Sequence, residues 1–171
     1  LNIALQKVLN PPSPEKKEFT FNGRLFRQGD KVMQVRNNYD MVWKKDDGEM
    51  GRGIFNGDIG IIKDIDQKNG IVTVDFDGRK AELAAELLGD LDLAYAITVH
   101  KSQGSEFNAV IIPVFGVVPN LAYRNLLYTA VTRAKNMLIT VGSGELIKKM
   151  TENDKKSKRY SALPHFLKSA F

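Results

Sequence analysis

Closely spaced turns in the middle of the chain constrain its fold more than any other feature. Residues 28–90 contain short runs in which apolar and polar side chains alternate, as they do in half-buried strands. Asn69-Gly70 and Asp77-Gly78 punctuate these runs, and such dipeptides favour type I′ hairpins, whose central residues need a positive φ. We therefore predict a small antiparallel β-barrel. Its strand candidates are Lys31–Val35, Ile59–Ile65 and Ile71–Phe76.

The flanking residues follow a different pattern. Leu1–Leu9 shows a helical stripe of Ile3, Leu5, Val8 and Leu9 before three nearby prolines end it. After Leu93 the pattern becomes α/β, because continuous apolar runs typical of buried parallel strands alternate with helical spacing. The predicted elements are a strand at Ala109–Phe115, a helix at 123–135, a strand at Met137–Val141 and a helix through Met150.

The stretch LAYAITVHKSQGSEF, Leu93–Phe107, concentrates polar chemistry. Thr98 stands where the N-cap of a helix would lie, and Gly104 stands where that helical turn would end. Free amides at a helix N-terminus favour a phosphate. The stretch is thus a candidate for holding a nucleotide or a nucleic-acid backbone, and a solvated capped turn is the alternative. The candidate side chains are Thr98, His100, Lys101, Ser102 and Gln103.

A second polar feature is Arg133 in NLLYTAVTRAK, Asn125–Lys135. The spacing of the apolar residues predicts a helix that faces the core and carries Arg133 on its polar side. A guanidinium held in this way can stabilise charge on a transferring phosphoryl group. The alternative is a surface arginine paired with a carboxylate.

Within the predicted barrel, Tyr39–Arg52 is expected to be a polar excursion that carries Trp43. A ring flanked by lysines can stack on a base while the ammonium groups meet phosphates. Packing of Trp43 on the barrel is the alternative. Asn38 could also contact nucleic acid, or it could satisfy backbone groups at the end of a strand.

Taken together, TVHKSQGSEF and LLYTAVTRAK resemble motifs V and VI of superfamily 1 helicases, in the RecD-like (exodeoxyribonuclease V alpha-chain-like) branch of ATP-dependent DNA helicases. The resemblance extends to LNIALQKVLNPP, GDKVMQVRNNYD, FNGDIGIIKDID and VDFDGR. It implies an α/β fold, namely a partial RecA-like second motor domain with an inserted SH3-like β-barrel. The implied divisions are motor residues 1–27, barrel residues 28–90, motor residues 91–150 and a basic carboxy-terminal tail at 151–171.

The resemblance also implies roles for single residues. Arg133 matches the arginine finger of motif VI, Glu106 the carboxylate that accepts the ribose hydroxyls, and Gly104 a point where backbone approaches the nucleotide. Thr98 and His100 match residues that contact a single strand. The implied ligands are ATP with Mg²⁺, single-stranded DNA and its junctions with duplex. A missing amino-terminal motor domain would supply the Mg²⁺ ligands. The implied activity is 5′-to-3′ translocation and unwinding in DNA repair and recombination.

Composition narrows the remaining possibilities. The 171 residues carry a net charge of +5, which modestly favours polyanionic partners. The absence of cysteine excludes thiolate metal sites, and two histidines are too few for a histidine-rich metal centre. No apolar run approaches the length of about 18 residues that spans a bilayer, so we expect no membrane association and a cytoplasmic location. The sequence lacks a G-x-x-x-x-G-K-[ST] loop, so the chain should not hydrolyse ATP alone. Two other functions stay open: a non-catalytic nucleic-acid-binding module and a protein–protein adaptor whose barrel binds a peptide.

Overall fold

A seven-stranded antiparallel sheet dominates the first of two units. The computed structural model describes residues 1–116 and 118–154, and the chain divides into Leu1–Lys101 and a second unit that starts at Ser102. The sheet order is β5-β4-β8-β7-β6-β3-β9, and β1 and β2 form a separate hairpin. The elements of the first unit are α1 Asn2–Leu9, β1 Glu18–Phe21, β2 Arg24–Arg27, β3 Lys31–Gln34, β4 Asn38–Lys44, β5 Met50–Ile54, β6 Ile59–Asp66, β7 Ile71–Phe76, β8 Arg79–Ala84 and β9 Leu91–Leu93.

Alternation of side chains builds the core of this unit. In β7, Val72, Val74 and Phe76 are fully buried while the residues between them are half-buried. The predicted strands at 31–35, 59–65 and 71–76 are therefore confirmed. Asp77 and Gly78 have φ values of 53° and 84°, as the predicted hairpin between β7 and β8 requires.

The region Tyr39–Arg52 is a β-hairpin, so its prediction as a polar excursion was wrong. Strands β4 and β5 pair from Asn38 with Ile54 to Lys44 with Met50. Met41 is buried and Trp43 is half-buried, whereas the alternate residues face solvent. The period of two was hidden because two outward side chains, Val42 and Met50, are apolar and β5 holds two glycines.

Helix α1 packs through its polar side, contrary to the predicted apolar stripe. Ile3, Val8 and Leu9 are 67%, 76% and 65% exposed, whereas Gln6 and Asn10 are buried. The buried side chains bond to a carboxylate inside the protein, Asp30. A polar centre therefore decides which face of this helix turns inward.

The second unit is built on two parallel strands. Its elements are β10 Phe107–Val114, α2 Arg124–Val131, β11 Ala134–Gly142 and α3 Gly144–Glu152. β10 and β11 pair in parallel, as predicted, from Phe107 with Ala134 to Val114 with Gly142. Val114, Leu127 of α2 and Met150 of α3 form its small core. The hydroxyl of Ser143 caps α3 by accepting a hydrogen bond from the amide of Leu146 at 3.2 Å.

Two predicted boundaries in this unit were wrong. Helix α2 ends at Val131 rather than at residue 135, and β11 begins at Ala134 rather than at Met137. Pairing with β10 captures the residues that follow Val131, because the amide of Phe107 donates to the carbonyl of Arg133 at 2.8 Å. Arg133 consequently lies in the turn between α2 and β11, not on the helix.

The four-part domain division remains a prediction. In the structure, residues 1–27 and 91–101 belong to the same compact unit as the sheet. Of the predicted basic tail at 151–171, only residues 151–154 lie within the described part of the chain.

The close contact of β6 with β7 can be tested at Gly60. A Cβ atom there would lie 2.6 Å from Val74 Cγ1 and 2.8 Å from the carbonyl oxygen of Asp75. Gly60→Ala should lower the free energy of unfolding by about 2 kcal/mol, because backbone cannot easily yield. At Gly89 the nearest atom, in Phe21, is 3.8 Å away, so Gly89→Ala should change this free energy by less than about 0.5 kcal/mol. Urea denaturation measures both; equal midpoints would show that β6 and β7 are less tightly packed.

Candidate nucleotide and nucleic-acid site

Residues 99–104 form a hydrogen-bonded turn that carries most of the polar candidates. The hydroxyl of Thr98 accepts a hydrogen bond from the amide of Lys101 at 3.2 Å, as a capping residue does. Gly104, with a φ of 84°, ends the turn. No helix follows Thr98, so the predicted helix N-terminus was wrong, and a helix dipole supplies no anion attraction here. The glycine reverses the chain before a regular helix can form.

Most side chains of this turn are accessible to a ligand. Thr98, His100, Lys101 and Gln103 are exposed, whereas Ser102 is 5% exposed. The boundary between the two units falls between Lys101 and Ser102. Thr98, His100 and Lys101 therefore belong to the first unit, and Ser102, Gln103, Gly104 and Glu106 belong to the second.

The ammonium group of Lys101 is paired with a carboxylate. Its Nζ lies 2.9 Å from Asp92 Oδ2, and Arg24 Nη1 lies 2.5 Å from Asp92 Oδ1. All three side chains are between about a third and a half exposed, so water screens these pairs and their strength is modest. A phosphate would have to compete with Asp92 for both cations.

Arg133 is oriented by three hydrogen bonds. Its Nε donates to the carbonyl of Thr129 at 3.1 Å, Nη1 to the carbonyl of Ser105 at 3.0 Å, and Nη2 to the hydroxyl of Thr132 at 3.2 Å. A guanidinium has five N–H donors, so two are left for a ligand. No carboxylate pairs with Arg133 among the described residues, which rules out the alternative of a simple surface ion pair within that part of the chain.

Glu106 lies one residue from the carbonyl that Arg133 binds. Its carboxylate is 3.2 Å from Lys135 Nζ, and both side chains are more than half exposed. The second unit therefore brings together a fixed guanidinium, an accessible carboxylate and the glycine at 104 along one short stretch of backbone. These are the three residues that the resemblance assigns to a nucleotide, and their roles remain a prediction.

The structure favours the plainer alternatives for the two candidates in the sheet. The side-chain oxygen of Asn38 accepts hydrogen bonds from the amides of Asp40 and Met41 at 3.2 and 3.0 Å. Trp43 packs against the core, and its indole nitrogen is buried. A contact of either residue with nucleic acid stays a prediction.

An exposed aromatic pair was missed. The rings of Tyr39 and Phe55 meet edge to face with centroids 5.5 Å apart, and they are 66% and 40% exposed. Asn37 joins them, because its amide group donates to the Tyr39 hydroxyl and its oxygen accepts from the amide of Asn56. Phe55 directly follows β5, a strand that the sequence pattern did not reveal, so the pairing could not be foreseen.

The described residues contain no group of three or more histidine, cysteine, aspartate or glutamate side chains that could hold a metal ion. No helix among them has the length and apolar character needed to cross a membrane.

Two family models match separate parts of the chain. The SH3 domain of ATP-dependent RecD-like DNA helicases matches residues 1–76, and the UvrD-like helicase C-terminal domain matches residues 93–141. The ATP-dependent RecD2 DNA helicase of Deinococcus radiodurans is 35% identical over 143 residues, which are 84% of this chain and 18% of that protein. The chain belongs to the RecD-like helicases of superfamily 1.

Other relatives agree with this family. The RecBCD enzyme subunit RecD of Buchnera aphidicola is 30% identical over 161 residues, covering 90% of this chain and 24% of that protein. The RecD-like chain therefore spans about a fifth of the length of these curated relatives. A Pif1 helicase structure, from work on unwinding at forked duplex DNA, matches the fold with a TM-score of 0.55 and 20% identity over 99% of this chain and 42% of that one.

The cap provided by Thr98 can be tested by amide exchange. Thr98→Ala should speed exchange of the Lys101 amide about fivefold, because it removes a hydrogen bond worth about 1 kcal/mol. Thr98→Ser keeps the hydroxyl and should keep the slow rate. Nuclear magnetic resonance measures the exchange. The same Lys101 rate in all three proteins would mean that the hydroxyl does not hold this turn.

Proposed function

We propose that this RecD-like chain forms one wall of the ATP cleft of a DNA helicase and part of the path of its single strand. The observation that carries the proposal is the turn after α2, which fixes Arg133 beside the Ser105–Glu106 backbone. Membership of a DNA helicase family supports it, while translocation, its 5′-to-3′ direction and a role in repair and recombination belong to the proposal.

Arg133 serves as the arginine finger in this proposal. Its two remaining N–H groups would meet the γ-phosphate across the cleft, where a preoriented charge stabilises the transferring phosphoryl group. Glu106 would accept the ribose hydroxyls after releasing Lys135, and an exposed ion pair costs little to break. Gly104 leaves the backbone open to the nucleotide because no side chain covers it.

The single strand would meet the exposed turn at Thr98 and His100. Lys101, Ser102 and Gln103 extend this set, with Lys101 exchanging Asp92 for a phosphate. In the sheet, the sequence points to Asn38 and Trp43 as further contacts. Tyr39 and Phe55 are more accessible, and exposed aromatic faces stack on bases at about 1–3 kcal/mol each.

A RecA-like motor fold and an SH3-like barrel are also parts of the proposal. Parallel strands normally have helices on both faces, yet Ile111 is 64% exposed, and Met137 and Ile139 are 55% and 42% exposed. Such an exposed apolar face suits a pair of strands that further elements of a larger domain would cover. An amino-terminal motor domain would supply the phosphate loop and the Mg²⁺ ligands. Junctions of single-stranded with duplex DNA complete the proposed partners, and the cytoplasm is the proposed location.

A second candidate function is a peptide-binding adaptor. It is favoured by an open pocket of about 710 Å³ in the sheet, lined by Trp43, Lys45, Lys80 and Leu87 among others. Lys45 lies over the Trp43 ring at 5.6 Å, and an aromatic floor of this kind is typical of peptide grooves. A non-catalytic nucleic-acid clamp is not favoured by any separate observation.

The finger assignment predicts the effect of Arg133→Ala on the complete helicase. ATP turnover stimulated by single-stranded DNA should fall by about 10³-fold or more, with DNA affinity within a few-fold of the original. Arg124→Ala is the matched control, because that arginine is exposed on α2, the helix that precedes the Arg133 turn; turnover should be retained. Arg133→Lys keeps the charge but not the fork, so it should not restore the rate. Unchanged turnover in Arg133→Ala would remove the assignment.

The 171-residue chain should bind a labelled single-stranded oligonucleotide weakly, with an affinity that falls as salt rises. Few phosphate contacts are available, and each releases counterions. Anisotropy titrations at low and high ionic strength measure this affinity. Fluorescence of Trp43, the only tryptophan in the sequence, reports whether the pocket takes part. A tight complex that ignores salt would contradict the proposed path.

A further inference from the structure

A fully buried carboxylate lies at the centre of the first unit. Asp30 has no exposed surface, and its two oxygens accept four hydrogen bonds. Oδ1 accepts from Asn10 Nδ2 at 2.7 Å and from the Tyr95 hydroxyl at 2.8 Å, and Oδ2 accepts from Gln6 Nε2 at 2.6 Å and from the amide of Arg27 at 2.7 Å. A carboxylate has about four acceptor sites, so Asp30 is saturated.

The side chain of Arg27, whose backbone amide contacts Asp30, is engaged elsewhere. The guanidinium of Arg27 binds Glu18 through Nε at 2.6 Å and the carbonyl of Asn10 through Nη1 at 2.5 Å. Asp30 is therefore stabilised by the four donors themselves. Leaving a buried charge without one of its donors costs free energy. Asp30 and its four donors, which we call the Asp30 network, therefore have one favourable arrangement.

The Asp30 network reaches the segment that leads into the polar turn. Strand β9 ends at Leu93, and the amide of Ala94 makes a final backbone bond to Lys31 at 2.8 Å. Beyond it, Tyr95 donates to Asp30 across 65 positions of sequence. Burial, followed by the hydrogen bond to Asp30 and its negative charge, raises the pKa of Tyr95 to about 12, so its hydroxyl stays a donor at neutral pH.

Helix α1 holds the same segment by a second attachment. Asn2 Nδ2 donates to the carbonyls of Leu93 and Ala96 at 2.8 and 3.0 Å, and Asn2 Oδ1 accepts from the amide of Ala96 at 2.7 Å. Asn2 and Gln6 are four residues apart, so they lie on one face of α1, and Asn10 caps the end of the helix. One helix face thus binds both Asp30 and the backbone at 93–96.

We propose that the Asp30 network and Asn2 position the segment 94–97, and through it Thr98 and His100, for contact with the single strand. Asp30, Tyr95 and Asn2 are positioning residues, since none of them is placed on the strand itself. The inference rests on the proposed function, and it adds that α1 sets the affinity for single-stranded DNA without touching it.

The test uses Tyr95→Phe in the 171-residue chain, because this change removes one hydroxyl and keeps the ring. Tyr128→Phe is the matched control, since Tyr128 is 69% exposed. Two quantities are measured in each protein: exchange of the Ala96 amide, and affinity for a labelled oligothymidine. Tyr95→Phe should speed exchange about fivefold and weaken binding by a similar factor, and Tyr128→Phe should change neither.

Asn2→Ala tests the second attachment, and should speed Ala96 exchange more than Tyr95→Phe because Ala96 loses its acceptor. Thermal unfolding of each variant shows whether the whole fold is lost. If Asn2→Ala unfolds the chain, the result for Tyr95→Phe decides whether the tether exists. Unchanged exchange in Tyr95→Phe would overturn the tether, and faster exchange with unchanged affinity would overturn its positioning role. Absence of oligonucleotide binding by the unaltered chain would instead overturn the proposed function, and with it the DNA part of this inference, while exchange would still report on the tether.

Discussion

The buried charge of Asp30 is the constraint on which the arrangement of the first unit depends. An ionised carboxylate out of contact with water needs donors on all sides, and this need turns the polar face of α1 inward. It explains why Ile3 and Val8 face outward although the helix carries an apolar stripe. The same need fixes Tyr95, a residue distant in sequence, on the same carboxylate. The apolar cluster that packs on the sheet requires no such centre, since hydrophobic side chains alone form it.

In the second unit the corresponding constraint is the parallel pairing of β10 with β11. Parallel strands need a crossover connection, which α2 provides, and the turn that closes it contains Arg133. The amide of Phe107 donates to the carbonyl of Arg133, while the Arg133 side chain donates to the carbonyl of Ser105. The backbone carbonyl and the side chain of Arg133 therefore both bind the segment 105–107. The orientation of the guanidinium is consequently tied to the position of residues 105–107.

How far the sequence could predict this structure depended on whether local pattern and long-range contact agreed. Strands such as Ile71–Phe76 were foreseen because alternation and hairpin turns point the same way. The β4–β5 hairpin was missed because its two glycines and the outward apolar residues Val42 and Met50 mask its alternation. Helix α2 was extended too far because Ala134 continues its spacing, and only pairing with Phe107 ends the helix. At the site, motif resemblance named Arg133, but its bond to Ser105, across 28 positions, has no local signal.

The partners of each charged group decide which of them remains available to an anion. Lys101 is neutralised by Asp92, and Lys135 by Glu106. These pairs are partly exposed, so each is held by about 1 kcal/mol or less and a ligand can exchange with either member. Arg133 is held by carbonyls and a hydroxyl, which orient a guanidinium without cancelling its charge. Orientation by neutral acceptors is what electrostatic stabilisation of a developing negative charge requires, because the full charge is in place before the anion arrives. A carboxylate partner in the same geometry would orient the side chain equally well, but its negative charge would weaken the positive potential that a phosphoryl group could meet.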